Sequence, residues 1–330
     1  MGSARPRIFV TQPVAQSAIA RLRAVATVKV NPDDSRIVAK RALIAATKSC
    51  DILFCLLHDR IDRDVIDANP ALRMIAAQSI SPSNIDVAAA TARGIPVTVV
   101  PPVTTEATAD MTFALMLAVA RRVLEGDRLV RAGRFPGAQS RHLIGSFVYG
   151  KTIGLIGGGG LIGKAVARRA QGFAMRVLYW TPRRKPEAEE RAAGLTFVPF
   201  DEMLAQSDFV SVHSPLTAET RHQIGARELR LMKRTAFLVN TARGPIVDEA
   251  ALLRALATRR IAGAGLDVFE HEPKVDAALR RLPNVALAPH LGSAVIEVRA
   301  EMAGIVVDNI LALLDGRTPP NCVNPEVLQG

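Results

Sequence analysis

KTIGLIGGGGLIGKAVARRAQ, residues 151–171, is the stretch on which the fold turns. Lys151 to Ile156 is an apolar run of the length of a buried strand, four glycines follow it, and Lys164 to Gln171 has helical spacing. Gly158, Gly160 and Gly163 satisfy G-x-G-x-x-G in the setting that the pattern requires, after a strand and before a helix. The first glycine permits a tight turn, the second lets the backbone approach a pyrophosphate, and the third lets the helix pack on the strand. With four glycines in a row, the register within Gly157–Gly160 is open by one residue. The helix start at Leu161 and Ile162 presents free N–H groups and a partial positive charge to phosphates. The stretch predicts a nicotinamide dinucleotide site with contacts at Gly158, Gly160, Leu161, Ile162 and Gly163.

An NAD site places an acid about 20 residues further on, to bind the ribose 2′-hydroxyl. From Lys151 to Pro186 there is no Asp or Glu, and the next strand ends Tyr179-Trp180-Thr181-Pro182-Arg183-Arg184-Lys185. A missing carboxylate with cations in its place suits a 2′-phosphate, which a guanidinium grips with two bonds. NADPH is therefore predicted as the preferred cofactor, with NADH possible and with Trp180, Thr181, Arg183 and Arg184 around the phosphate end.

The same rhythm of short apolar strands and helices runs through the chain. Strands are predicted at Arg7 to Val10, Thr27 to Val30, Asp51 to Leu56 and Met74 to Ala77, then, past the glycines, at Arg176 to Tyr179, Phe209 to His213, Thr235 to Asn240, Gly263 to Val268 and Val285 to Leu287. Near-continuous apolar strands between helices argue for parallel sheets covered on both faces. A long helical stretch begins at Thr105 and a last helix covers Val295 to Leu314. The length of 330 residues suits two domains or one large one.

Composition removes several classes. With 49% hydrophobic and 22% charged residues, the chain is neither disordered nor collagen-like. No apolar run approaches the roughly 18–20 residues of a membrane span; the best candidate, Met111 to Ala120, ends at Arg121-Arg122. Met1 to Arg7 is polar, so no secretory signal core is expected. The net charge of +11 is spread along the chain, and two Tyr with one Trp offer little for base stacking, so neither a nucleic acid nor a membrane is the expected partner. Three cysteines, Cys50, Cys55 and Cys322, make no disulfide framework and show no metal-ligand spacing with His; no metal is predicted, and reduced thiols fit the cytoplasm.

Three segments beyond the glycines each set an ionisable residue at a strand end: Leu238 to Gly244, Gly265 to Pro273, and Val285 to Ser293. Ligands of open parallel sheets bind at the carboxyl ends of the strands, so Arg243, Glu272 and His290 can converge beside a nicotinamide. Reducing a 2-keto acid needs a cation on the carboxylate and keto oxygen, which suits Arg243. It also needs a proton donor near neutral pH, which suits His290, and a carboxylate partner such as Glu272 favours the imidazolium.

Taken with Asn84-Ile85-Asp86, AATARGIP (89–96), TEATAD (105–110), RAGRF (131–135) and His213-Ser214-Pro215-Leu216-Thr217, these segments resemble the D-isomer-specific 2-hydroxyacid dehydrogenases over nearly the whole chain, nearest the glyoxylate/hydroxypyruvate reductase branch. The resemblance implies that Arg243, Glu272 and His290 are catalytic. It implies cofactor contacts at Thr108, His213, Pro215, Thr241, Ala242, Arg243, Asp267, His290 and Gly292, with Asp267 near the nicotinamide amide. It implies two flavodoxin/Rossmann-like doubly wound parallel-sheet α/β domains with an interdomain active-site cleft: residues 1–102 with 294–330 for substrate, and 103–293 for NAD(P). Hinges are expected near Pro101-Pro102 and Ser293-Ala294. A homodimer is also implied, formed through Met111 to Val119 and the arm to Tyr149.

One segment departs from the family pattern. Its Gly-rich substrate loop is here Gln78-Ser79-Ile80-Ser81-Pro82-Ser83, which predicts substrate contacts at Ser79, Ile80, Ser81, Arg243 and His290 with an altered substrate range; His58 is a further residue that can line this cleft. The leading expectation is an NADPH-dependent reductase of a small 2-keto acid. The alternatives are a 2-ketogluconate reductase, a formate- or phosphite-type dehydrogenase of the same fold, or an NAD(P)-sensing binding protein.

Overall fold

The computed structural model describes residues 5–329 and divides into two compact units. One runs to Val103 and resumes at Val295; the other is Thr104–Ala294.

In the first unit five parallel strands, β1 (Arg7–Val10), β2 (Thr27–Val30), β3 (Ile52–Leu56), β4 (Met74–Gln78) and β5 (Val97–Thr98), stand in the order β2-β1-β3-β4-β5. Side chains alternate across a strand, and this sheet is apolar on both faces. Ile8, Val10, Ile52, Phe54, Met74 and Ala76 face the helices Gln16–Val25 and Ile296–Leu314, while Phe9, Leu53, Cys55, Ile75 and Ala77 face Leu43, Val65, Ile66 and Ala90. The helix Ile296–Leu314 buries Met302, Ala303, Val306, Val307 and Ile310, one stripe at helical spacing, which returns the chain to this core.

In the second unit seven parallel strands, β6 (Thr152–Ile156), β7 (Arg176–Trp180), β8 (Thr196–Phe197), β9 (Phe209–Val212), β10 (Phe237–Asn240), β11 (Gly263–Leu266) and β12 (Val285–Leu287), stand in the order β12-β11-β10-β9-β6-β7-β8. The chain builds outward from β6 in both directions, so the topological switch point lies between β6 and β9, with Ile156 opposite Val212. The helix after the glycines, Leu161–Gly172, begins three residues before the predicted start at Lys164. Glycine is a poor helix former, but here Gly163 is drawn into the first turn by its packing on Gly158. The helix Thr105–Ala120 packs Phe113, Leu115, Met116 and Val119 into the core of this unit. Among the described residues no helix is long and apolar enough to cross a membrane.

Leu155 in β6 is fully buried beside Phe113, Ala165 and Tyr179. Leu155→Ala is expected to lower stability by about 2–5 kcal/mol, read as an earlier urea unfolding midpoint.

Candidate active site

The glycine loop leaves the carboxyl end of β6, and its residues are glycines for separate reasons. Gly157 has φ of 78°, and a Cβ there would stand 2.7 Å from Ser214 N and 2.8 Å from the His213 carbonyl carbon. The tight turn thus falls on Gly157, one residue before the Gly158 assigned to it from the pattern. Gly158 is needed for packing: a Cβ would lie 2.7 Å from Tyr179 Cβ. At Gly163 a Cβ would lie 2.5 Å from Gly158 Cα, which is how helix and strand approach closely. Gly160 precedes the helix in extended backbone, and a Cβ there meets only Gly157 O at 3.3 Å, leaving its other side open. Leu161 is exposed and Ile162 half-buried at the helix start. The Lys185 stem lies over Gly159, within 2.8 Å of where a Cβ would be, a cover that the sequence pattern did not reveal.

Across the switch point, His213 follows β9. Its Nε2 is 2.9 Å from Ser211 Oγ, while Nδ1 is shut off from solvent without a hydrogen-bond partner. Burial pushes the ring down to about 3, so it is neutral at physiological pH. An orphaned ring nitrogen is costly when buried. One beside a glycine turn that approaches this closely fits a polar group of a bound dinucleotide, and these residues therefore fit such a cofactor. Pro215, two residues on, is exposed.

At the end of β7, the Trp180 ring packs on Phe200 at 4.8 Å and Thr181 Oγ1 donates to Arg183 O at 2.7 Å. Arg184 grips Glu190 with two bonds of 2.8 Å, and the Tyr179 hydroxyl donates to the same carboxylate at 2.6 Å. These donors hold Glu190 well below the usual carboxylate range. Arg184 is thus engaged inside the unit, and Arg183 is the exposed guanidinium that makes no ion pair among the described residues. Glu190 was missed in the sequence because it lies on the following helix, Glu187–Ala193, beyond the acid-free interval.

Arg243, Asp267 and His290 follow β10, β11 and β12, and the turn after β11 carries Glu272. His290 Nδ1 is 2.9 Å from Glu272 Oε2, and Phe269 N–H donates to Glu272 Oε1 at 2.9 Å. Burial draws the Arg243 guanidinium down from its ordinary value, and the neighbouring Glu272 charge pulls it back up. Asp267 is 1% exposed and accepts from Leu291 N at 2.6 Å and Gly292 N at 2.8 Å. Burial pushes its carboxyl up against the pull of those two bonds. His290 N donates to Asp267 O, and His290 itself takes a left-handed φ of 58°.

Around this set, the Thr108 hydroxyl donates to Thr104 O at 2.8 Å and lies 3.4 Å from Gly292 O. Thr241 is buried with its hydroxyl 2.9 Å from Thr112, and the Ala242 carbonyl accepts from Arg243 at 2.7 Å. A guanidinium, a carboxylate–imidazole pair and a glycine turn thus share the carboxyl edge of one sheet, an arrangement suited to hydride chemistry on an anionic carbonyl compound.

In the other unit, Ser79, Ile80 and Ser81 follow β4. Ser79 is buried and its hydroxyl donates to Ser81 O at 2.8 Å, which presets the turn; Ile80 is exposed, and Ser81 Oγ lies 3.3 Å from Ser83 Oγ. Asp59, after β3, is a buried carboxyl that the sequence did not flag. It accepts from Thr11 Oγ1 and from Leu56 N, and burial pushes it up.

Such a site on a Rossmann sheet defines a nicotinamide-dependent oxidoreductase. Residues 113–292 match the D-isomer specific 2-hydroxyacid dehydrogenase, NAD binding domain. The chain is 48% identical over 327 residues to a glyoxylate reductase of Korarchaeum cryptofilum, covering 98% of each, and 47% identical over 329 residues to one of Thermococcus gammatolerans, again covering 98% of each. Among solved structures it is similar to an NADPH-dependent glyoxylate/hydroxypyruvate reductase from Sinorhizobium meliloti in complex with NADP and malonate, at a TM-score of 0.81 and 33% identity over 98% of each chain. The chain belongs to the D-isomer specific 2-hydroxyacid dehydrogenase family, as an NAD(P)-dependent enzyme.

His213 also makes a pH prediction. The unfolded ring takes up a proton near 6.5 and the folded one only near 3, so its contribution to stability is present above about 6.5 and is lost as pH falls below that. The slope is up to about 1.4 kcal/mol per pH unit. Between pH 7 and 4 the urea midpoint of His213→Gln is expected to fall less steeply than that of the unaltered protein.

Proposed function

We propose that this chain reduces glyoxylate and hydroxypyruvate to their 2-hydroxy acids with NADPH. The observation that carries the reading is the 2.9 Å bond between His290 and Glu272 beside a desolvated Arg243, all at the carboxyl edge that bears the glycine loop. The names of the relatives, each a glyoxylate reductase over 98% of its length, point to the same substrate class.

A nicotinamide held at this edge would supply the hydride for the reduction. Arg243 holds the substrate carboxylate and keto oxygen through its planar fork, with a charge that a half-buried setting makes more effective. Glu272 fixes the His290 ring through Nδ1, so the proton reaches the developing alkoxide from Nε2. Asp267 sets the backbone that carries His290 and Gly292. Gly158, Gly160, Leu161, Ile162, Gly163 and His213 take the pyrophosphate and its surroundings, with Thr108, Pro215, Thr241, Ala242 and Gly292 lining the nicotinamide side. Ser79, Ile80 and Ser81 take the substrate. Arg183 reads the 2′-phosphate, and Arg184 acts behind it by holding Glu190.

The enzyme works as a homodimer in the cytoplasm. The arm toward Tyr149 supports the dimer: Phe135, Ile144, Phe147 and Tyr149 are 62–76% exposed, a large apolar surface for a monomer to leave in water. The apolar side chains of Met111 to Val119 instead serve mainly the internal core. Cys50 and Cys55 are buried thiols whose pKa burial raises, which fits a reducing compartment.

A screen of 2-keto acids following NADPH absorbance tests the reading; turnover of none of them overturns it. His290→Ala is expected to lower kcat by roughly 10²–10⁴ while NADPH binding, read by fluorescence titration, is kept. Arg183→Ala is expected to lower kcat/KM for NADPH by about 10- to 150-fold with little change for NADH, because one charge-assisted contact is worth about 1.5–3 kcal/mol. Equal losses with both cofactors would count against the phosphate assignment.

A further inference from the structure

Glu270 lies two residues before Glu272 and has no part in the chemistry above. Its side chain is only 10% exposed although it sits on a surface turn. Oε1 accepts from His222 Nε2 at 2.7 Å and from Arg221 at 3.3 Å, and Oε2 accepts from Glu249 N at 3.2 Å. The Glu270 N–H in turn donates to Glu249 Oε2 at 3.0 Å. Two carboxylates thus exchange backbone bonds, an arrangement of like charges that persists because Arg221 and His222 lie against one of them.

These bonds join three segments. His222 N donates to Pro245 O and Ile224 N to Ile246 O, within the turn that directly follows Arg243. Glu249 opens the next helix, Glu249–Ala257. Glu270 belongs to the turn whose Phe269 N–H holds Glu272 Oε1. The two turns touch without slack: a Cβ on Gly244 would stand 1.9 Å from Phe269 O and 2.6 Å from Glu270 N. His222 holds its place with a left-handed φ of 53°, a strained state for a non-glycine residue.

We infer that Glu270 is a positioning residue, a carboxylate clamp which, with Glu249, Arg221 and His222, sets the distance between Arg243 and the Glu272–His290 pair. The inference rests on the catalytic roles given above to those three residues. The clamp acts through Phe269: loosening Glu270 frees the turn, Glu272 loses its backbone donor, and His290 loses its orienting partner. Misplacement by about 1 Å can cost about 100-fold in rate.

Glu270→Gln keeps the shape but removes the charge that Arg221 opposes and that the His222 ring hydrogen-bonds, and His222→Asn removes the ring with a residue that tolerates the left-handed backbone. The expected result for Glu270→Gln is a kcat for glyoxylate lowered by about tenfold or more, with the NADPH dissociation constant changed by less than about twofold. His222→Asn moves the same way by less. Amide exchange across residues 268–272 speeds up in both variants, a readout that needs no turnover. Unchanged kcat and exchange in soluble Glu270→Gln would overturn the clamp, as would kcat and NADPH affinity falling together. If Glu270→Gln does not fold, His222→Asn decides by the same readouts. If the unaltered protein reduces no keto acid, the proposed activity fails, and the clamp then stands or falls on the exchange data alone.

Discussion

A buried carboxylate holds the site in register. Asp267 is almost wholly inside its unit, and it spends both oxygens on the N–H groups of Leu291 and Gly292 while its own carbonyl accepts from His290 N. Burying a charge is costly unless it is hydrogen-bonded, and these bonds make that burial tolerable. They also hold His290 in a left-handed backbone, a state that costs about 1–3 kcal/mol unless its surroundings over-determine it. The imidazole is thereby aimed at Glu272 instead of at solvent.

From that anchor the rest of the constellation follows by strand adjacency. β10, β11 and β12 lie side by side, so the residues that leave their carboxyl ends emerge next to one another. Arg243, Asp267 and His290 need no long-range coincidence to meet: parallel strands of similar length deliver them to one edge. The β6–β9 switch point supplies the remaining part, a glycine turn packed against the backbone of His213 and Ser214. The glycine turn and the candidate catalytic groups thus share one sheet edge, with loops carrying the side chains and the sheet fixing their spacing.

Much of this was legible in the sequence. The strand–glycine–helix unit has a physical signature, because glycine is favoured where φ is positive and is required where a Cβ would collide with packed neighbours, and Gly157, Gly158 and Gly163 each meet such a limit. Both sheets were legible because strands buried on both faces read as short apolar runs. The register of the turn stayed open by one residue in the sequence because four successive glycines carry no side chain to mark which of them bends, and the fold puts the positive φ at Gly157. The stretch Met111 to Val119 was expected to face a partner, but Phe113 and Met116 are buried in their own unit's core, and such side chains look the same in sequence in either setting.

The sequence by itself therefore determined the secondary-structure order, the two parallel sheets and the strand–glycine–helix unit, and it named Arg243, Glu272 and His290 as candidates for keto-acid chemistry, since all of these follow from local spacing and side-chain chemistry. Tertiary structure alone decided which charges are engaged. Arg184 and Glu190 are six positions apart and neutralise one another across a turn and a helix, while Arg183 beside them is left to solvent. Glu270, Glu249 and His222 meet from three separate segments. The physical reason is that a pairing depends on distances across strand ends and loops, and those distances exist only once the chain has folded around its cores.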